Sequence, residues 1–169
     1  MTNTRPPHAG WSPAVVLLAT GATIYLADQV TKALVQARLD LDQRVPLIGD
    51  LVELWHARNS GAAFSLFQGG TVLFLVVTVF ALGMIVYFYR AFQGRSLWLY
   101  LVLGLVLGGT LGNVTDRLRS GFVTDFISVG FGSTRWPTFN VADSAIVIGI
   151  LSLVLSLSLI ERGDREAPA

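Results

Sequence analysis

The chain has 169 residues, of which 53% are hydrophobic and only 14% are charged, and its mean hydropathy is +0.61. About a quarter of an average soluble domain is charged, so this chain has too little solvating surface for a water-exposed fold of its length. The absence of cysteine excludes disulfide frameworks, zinc–thiolate sites and cysteine nucleophiles, and a net charge of +1 gives no reason to expect nucleic acid as a partner.

Long apolar stretches predict that the chain crosses a lipid bilayer four times. A spanning helix needs roughly 20 mainly apolar residues. We place the four spans at residues 14–35, 71–89, 97–115 and 141–160. Ser12 followed by Pro13 is typical of a helix N-terminus and supports the start of the first span. The sequence therefore predicts a mainly α membrane protein, a four-transmembrane-helix bundle that forms one integral domain over residues 1–169.

The first span carries two ionisable side chains, Asp28 and Lys32. They lie four residues apart and so share one helix face, with the acid nearer the N-terminus, which is the favourable order for an ion pair. An ionisable group inside a span is a functional candidate because its desolvation is costly. The pair can also neutralise itself and serve only the fold, and its position favours that structural role.

In the third span Gly104, Gly108 and Gly112 recur every four residues on one helix face. Small residues at this spacing let helix backbones approach closely in lipid. We therefore expect this face to pack tightly against a neighbouring span.

Two segments between the spans, residues 38–70 and 116–140, are too long for simple turns. Each mixes aromatic, β-branched and charged residues, and we interpret Leu51–Arg58 and Phe122–Val129 as short strands. With four spans, both segments lie on one side of the membrane and form a small, partly β part of the protein. The polar residues gathered on that side are Asp28, Lys32, Asn59, Asn113, Asp116, Arg117, Asp125, Asn140 and Asp143.

Arginine distribution does not settle which side this is. If the tails and the turn at residues 90–96 are cytoplasmic, that side holds five arginines and the other holds six. The positive-inside rule, which counts Lys and Arg near the spans, therefore does not choose an orientation.

Asp125 and Asp143 are candidates for acid–base chemistry. Asp143 follows Asn140 by three residues at the start of a span, a spacing that favours helix capping but also places a carboxylate at the membrane boundary. Asp125 has apolar neighbours, and partial desolvation raises a carboxyl pKa. Two carboxylates that meet share a proton, so one can activate water while the other donates. The sequence permits this meeting without proving it.

Five ordered blocks of the sequence resemble those of the lipoprotein signal peptidase (signal peptidase II) family. They are Asp28–Lys32, Asn59–Phe64, Gly108–Arg117, Val123–Phe126 and Phe139–Ser144. The resemblance implies an aspartyl protease of the bacterial plasma membrane, with its active face outside the cytoplasm. It implies removal of the signal peptide from diacylglyceryl-modified prolipoproteins by a cut just before the lipidated cysteine. It also implies that the site needs no metal or other cofactor.

Residue roles follow from the same resemblance. The catalytic pair is Asp125 and Asp143. The polar residues expected to hold the substrate or the pair are Asn59, Asn113, Arg117 and Asn140. The residues expected to support the fold are Asp28, Lys32 and Asp116. The expected partners are the prolipoprotein substrate and membrane lipid, and the chain is expected to act as a monomer.

Two other functions are compatible with the composition. A small proton-coupled transporter would use the membrane carboxylates as a relay, and an assembly subunit would use the polar residues only for structure. Transporters usually show internal repeats and carboxylates near the middle of the bilayer, whereas these carboxylates cluster at one side.

Overall fold

The computed structural model describes residues 11–61 and 71–166, so residues 62–70 of the first outer segment lie outside the described part. The helices are α1 (Pro13–Arg38), α2 (Thr71–Ala91), α3 (Leu97–Ser120) and α4 (Val141–Glu166). The strands are β1 (Arg44–Ile48), β2 (Val52–Asn59), β3 (Val123–Phe131) and β4 (Thr134–Arg135). All four helices are long and apolar enough to cross a membrane, which confirms the predicted bundle.

The helices begin close to the predicted positions but continue past the predicted ends of the spans. Ser12 caps α1 as expected, because its side chain accepts the N–H of Val15 at 3.2 Å. The ends differ because hydropathy marks the bilayer core, whereas a helix continues until a local signal stops it. For α3 that signal is Gly121, whose φ of 78° provides a left-handed C-cap.

Helix α3 is the centre of the bundle and packs against the other three helices. Its glycine face lies against α1, as predicted. A Cβ added to Gly108 would stand 2.5 Å from the carbonyl oxygen of Gly21, and one added to Gly112 would stand 2.5 Å from an oxygen of Asp28. The glycines thus permit close helix contact and leave room for a buried carboxylate.

The strands form one antiparallel sheet in the order β1-β2-β3-β4. Strands β2 and β3 confirm the two predicted strands with small shifts of their ends. Strand β1 was not predicted because it is short, contains Pro46 and lies at an exposed edge. The sheet lies at the end of the bundle where α1 and α3 end and α4 begins, which we call the sheet end.

Candidate active site

Asp125 and Asp143 come from different elements and meet in one hydrogen-bonded cluster. Asp125 is a residue of β3 and is 1% exposed, and Asp143 belongs to the first turn of α4. Asn140 Nδ2 donates to Asp125 Oδ1 at 2.7 Å, and Asn113 Nδ2 donates to Asp143 Oδ1 at 2.7 Å. The two asparagines also contact each other, since Asn140 Nδ2 lies 3.2 Å from Asn113 Oδ1. The structure therefore brings both predicted carboxylates together through Asn113 and Asn140.

Asp143 also takes part in the N-terminal cap of α4. Asn140 Oδ1 accepts the N–H of Asp143 at 2.9 Å, and Asp143 Oδ2 accepts the N–H of Asn140 at 3.2 Å. This reciprocal arrangement is a capping box with aspartate at its third helical position. The capping interpretation of this spacing is therefore correct, and it is compatible with a chemical role. The cap uses Oδ2 and directs Oδ1 towards Asn113.

Asp125 is held by amide donors on both carboxylate oxygens. Besides Asn140, Asn59 donates through Nδ2 to Asp125 Oδ2 at 2.8 Å. Burial, followed by the charge of Asp143, raises the pKa of Asp125 to about 7, although hydrogen bonds from Asn59 and Asn140 and the charge of Lys32 oppose the rise. A carboxyl with this pKa is protonated for much of the time near neutral pH, as a general acid must be.

Lys32 connects the acids of α1 and α3 to this cluster. Its Nζ lies 2.8 Å from Asp28 Oδ2 and 2.9 Å from Asp116 Oδ2, and it donates to Asn113 Oδ1 at 3.1 Å. An ammonium group can only donate, so the carbonyl oxygen of the Asn113 amide faces Lys32 and its NH₂ group faces Asp143. Asp28 Oδ1 in turn accepts the N–H of Ala142 at 3.0 Å, which fixes α1 to the first turn of α4.

Arg117 lies beside the cluster on the wall of a cavity of about 640 Å³. We call it the dyad cavity, after the pair of carboxylates Asp125 and Asp143. Its guanidinium carbon stands 4.0 Å from the ring centre of Phe74, and Nη1 lies 3.4 Å from the carbonyl oxygen of Asn113. The dyad cavity is also lined by Asn59 and Asp143, and along α4 by Val147. The dyad cavity therefore has a polar end, at Asn59, Arg117 and Asp143, and an apolar side along α4.

Two residues of the site were missed by sequence reasoning. Gln29 donates to Asp116 Oδ1 at 3.0 Å, and Phe74 lies under Arg117. A glutamine inside an apolar span was a usable signal, whereas Phe74 lies in an apolar run that marks no position as special. Within residues 11–61 and 71–166, no three His, Asp or Glu side chains are grouped so that they could hold a metal ion.

Comparisons with known proteins identify the family of the chain. The profile of the family described as signal peptidase (SPase) II matches residues 20–159. A lipoprotein signal peptidase of Syntrophus aciditrophicus is 37% identical over 150 residues, covering 86% of this chain and 93% of that protein. One of Shouchella clausii is 40% identical over 144 residues, covering 85% and 93%.

A solved bacterial membrane enzyme superposes on the chain with a TM-score of 0.77 at 28% identity, covering 90% of this chain and 93% of that one. A second solved bacterial membrane enzyme gives a TM-score of 0.75 at 30% identity, covering 83% and 91%. The chain is therefore a multi-pass bacterial membrane peptidase that belongs to the signal peptidase II family.

Proposed function

We propose that this peptidase is of the aspartic type, with Asp125 and Asp143 as its catalytic pair. Its substrates are diacylglyceryl-modified prolipoproteins, and it cuts just before the lipidated cysteine to release the signal peptide. The proposal is supported above all by the cluster in which Asn113 and Asn140 hold the two carboxylates beside a cavity. The names of the relatives support lipoprotein precursors as the substrate class.

At rest, Asp125 holds the shared proton and Asp143 is ionised. The raised pKa of Asp125 favours its protonated form, while the N-terminal end of α4 and two N–H donors favour a charged Asp143. Asp143 then takes a proton from water as the water oxygen attacks the scissile carbonyl carbon, and Asp125 donates its proton to the carbonyl oxygen. Asp143 next protonates the leaving nitrogen as the C–N bond breaks, and Asp125 recovers its proton from the hydroxyl group that becomes the new carbonyl.

The surrounding residues position these groups. Asn59, Asn113 and Asn140 fix the carboxylates by hydrogen bonds, and Arg117 directs a rigid guanidinium into the dyad cavity, where it orients the substrate backbone. The buried group of Lys32 with Asp28 and Asp116 holds Asn113 and the start of α4 in place.

The dyad cavity suits a substrate that arrives within the bilayer. Val147 and Ile148 line it from α4 and are 54% and 56% exposed, so an apolar signal helix meets an apolar wall. The polar end lies at the sheet end, at the depth of the lipid headgroups. We place the sheet end outside the cytoplasm, where water and exported precursors are found. Both carboxylates and the amides of Asn113 and Asn140 that hold them belong to the same chain, so the proposed site is complete in a monomer.

The test is cleavage of a synthetic diacylglyceryl precursor peptide by the purified protein in detergent. Asp125→Asn and Asp143→Asn should each lower the rate by at least roughly 10²–10⁴-fold, because neither amide can accept or share the proton. The double variant should be scarcely worse than either single variant, since the pair acts as one unit. A transporter or an assembly subunit would not shorten the peptide.

Asp40→Asn is the matched control, because Asp40 is an exposed carboxylate on the same side of the membrane. This variant should cleave at the parental rate, and the parent should cleave in the presence of a metal chelator. Near-parental cleavage by Asp125→Asn or by Asp143→Asn would overturn the aspartic assignment. Loss of cleavage by the parent in the presence of the chelator would overturn it too.

A further inference from the structure

A second cavity of about 460 Å³ lies at the sheet end and shares no lining residue with the dyad cavity. Strands β2 and β3 separate the two. Arg58 lies opposite Thr124 in the sheet, and the next residues along these strands are Asn59 and Asp125. Successive strand residues point to opposite faces, so Arg58 faces away from the catalytic cluster. We call this second space the basic cavity.

The described residues that line the basic cavity include three cationic side chains, Lys32, Arg58 and Arg119, and one carboxylate, Asp116, a net charge of +2; Asp28, which pairs with Lys32, reduces the excess to +1. Lys32 on its wall is paired with Asp28 and Asp116. In the described part of the chain, Arg58 and Arg119 make no ion pair with a carboxylate. The guanidinium carbon of Arg58 lies 4.6 Å from the ring centre of Phe122, and Arg119 Nη1 donates to Gln29 Oε1 at 3.4 Å.

In both contacts the partner of the guanidinium group is uncharged: the ring of Phe122 for Arg58 and the side-chain amide of Gln29 for Arg119. A contact with a ring face uses no N–H group, and the bond to Gln29 uses one of the five N–H donors of Arg119. Among the residues that the structure describes, most of the donors therefore stay available to a bound anion. A planar guanidinium matches the oxygen atoms of phosphate, which it can bind through two parallel hydrogen bonds.

The side of the membrane that carries these arginines is not depleted of positive charge. With the sheet end outside the cytoplasm, an orientation that rests on the proposed function, the outer side holds six arginines against five inside. The positive-inside rule leads us to expect fewer on the outer side. Two of the six, Arg58 and Arg119, line this one cavity.

We propose that the basic cavity binds the phosphate group of an anionic phospholipid headgroup, with Arg58 and Arg119 as its ligands. The cavity lies beside the ends of α1 and α3, where the spans leave the bilayer and headgroup phosphates lie at the same depth. Val30 and Leu34 of α1 are 55% and 50% exposed next to the cavity residues Gln29 and Ala33, so an acyl chain has an apolar surface to follow.

The experiment titrates the full-length protein, in an uncharged detergent, with short-chain phosphatidylglycerol and follows binding by native mass spectrometry. Saturable binding is expected. Arg58→Gln and Arg119→Gln should each weaken it about tenfold, because each removes charge-assisted hydrogen bonds to phosphate. Arg44→Gln is the matched control, since Arg44 lies on β1 with its guanidinium 3.7 Å from the ring centre of Trp55, outside the basic cavity. Its affinity should equal that of the parent.

Two further arms use only the parent protein, so they do not depend on how the variants fold. Diacylglycerol of the same chain length, which lacks the phosphate, should bind at least about tenfold more weakly than phosphatidylglycerol. Inorganic phosphate alone should also bind more weakly, and equal affinity would overturn the headgroup as the source of the anion. Failure of the parent to saturate, or equal weakening by all three variants, would overturn the site itself. Cleavage of the precursor peptide is measured separately, so failure of the proposed activity is distinguishable from failure of this proposal.

Discussion

Replacing Asp125 by asparagine is expected to stabilise the protein at neutral and alkaline pH while abolishing cleavage. The carboxyl is 1% exposed, and burial with the charge of Asp143 raises its pKa from 3.8 to about 7. A group whose pKa is higher in the folded than in the unfolded state stabilises the fold below its unfolded pKa, and that stabilisation is lost as the pH rises through the folded pKa. Ionisation of Asp125 therefore works against the fold at pH 7 and above.

The size of the effect follows from the rise of the Asp125 pKa from 3.8 to about 7. At 1.36 kcal/mol for each pKa unit, the charged form costs about 4 kcal/mol above pH 7. Asparagine removes this cost, but its NH₂ group only donates, so the hydrogen bond from either Asn59 or Asn140 is lost, at about 1–3 kcal/mol. The net gain is about 1–3 kcal/mol, and each kcal/mol raises the melting temperature of a chain of this size by about 2–4 °C.

The assay is thermal unfolding in detergent from pH 4 to pH 8, with Asp40→Asn as the control for loss of one carboxylate on the same side. The Asp125→Asn variant should melt above the parent at pH 8. The difference should shrink as the pH falls and reverse towards pH 4, where only the lost hydrogen bonding remains. A variant that melts below the parent at pH 8, or a difference that does not change with pH, would refute the reasoning.

Three further outcomes test other contacts. Asn59→Ala removes an N–H group that favours the charged form of Asp125, so the alkaline fall in cleavage rate should move to higher pH by about one pH unit, and a profile that stays in place would contradict this role. Gly108→Leu should lower the melting temperature, because even a Cβ at that position would meet α1. Gly83→Leu should not, because the space around Gly83 is open. Equal melting temperatures of the two variants would show that the α1–α3 contact is not tight. Arg117→Lys should lower kcat/KM although it keeps the charge, because the planar group is lost, and full turnover would reduce its role to simple electrostatics.

The sequence was sufficient for the four helices because each span is an unbroken apolar run, and for β2 and β3 because their side chains mix β-branched and aromatic types. It was insufficient for the helix ends, which depend on local caps such as Gly121. It was also insufficient for β1, where Pro46 and exposure hide the pattern.

The chemistry of the site was predictable in part. Four spans require Asp125 and Asp143 to lie on the same side of the membrane, but sharing a side does not by itself bring the two carboxylates together. Their meeting depends on the register of β3 against β2. It also depends on the hydrogen bonds from the amides of Asn113 and Asn140, which link residues distant in the sequence. The spacing of Asp28 and Lys32 predicted their ion pair correctly, yet nothing in that spacing showed that the lysine also fixes the amide of Asn113.

The hydrogen bond from Ala142 to Asp28 ties the first helix of the chain to the last. During synthesis the N-terminal parts of a chain form first, so α4 is the last helix to reach the bundle. Until it does, Asp28 lacks its backbone donor, Asp125 lacks Asn140, and the second carboxylate is absent. Under the proposed mechanism, a nascent chain that ends before residue 141 has no peptidase activity however well its first three helices are inserted. Under this mechanism, proteolysis therefore begins only once α4 has joined the bundle.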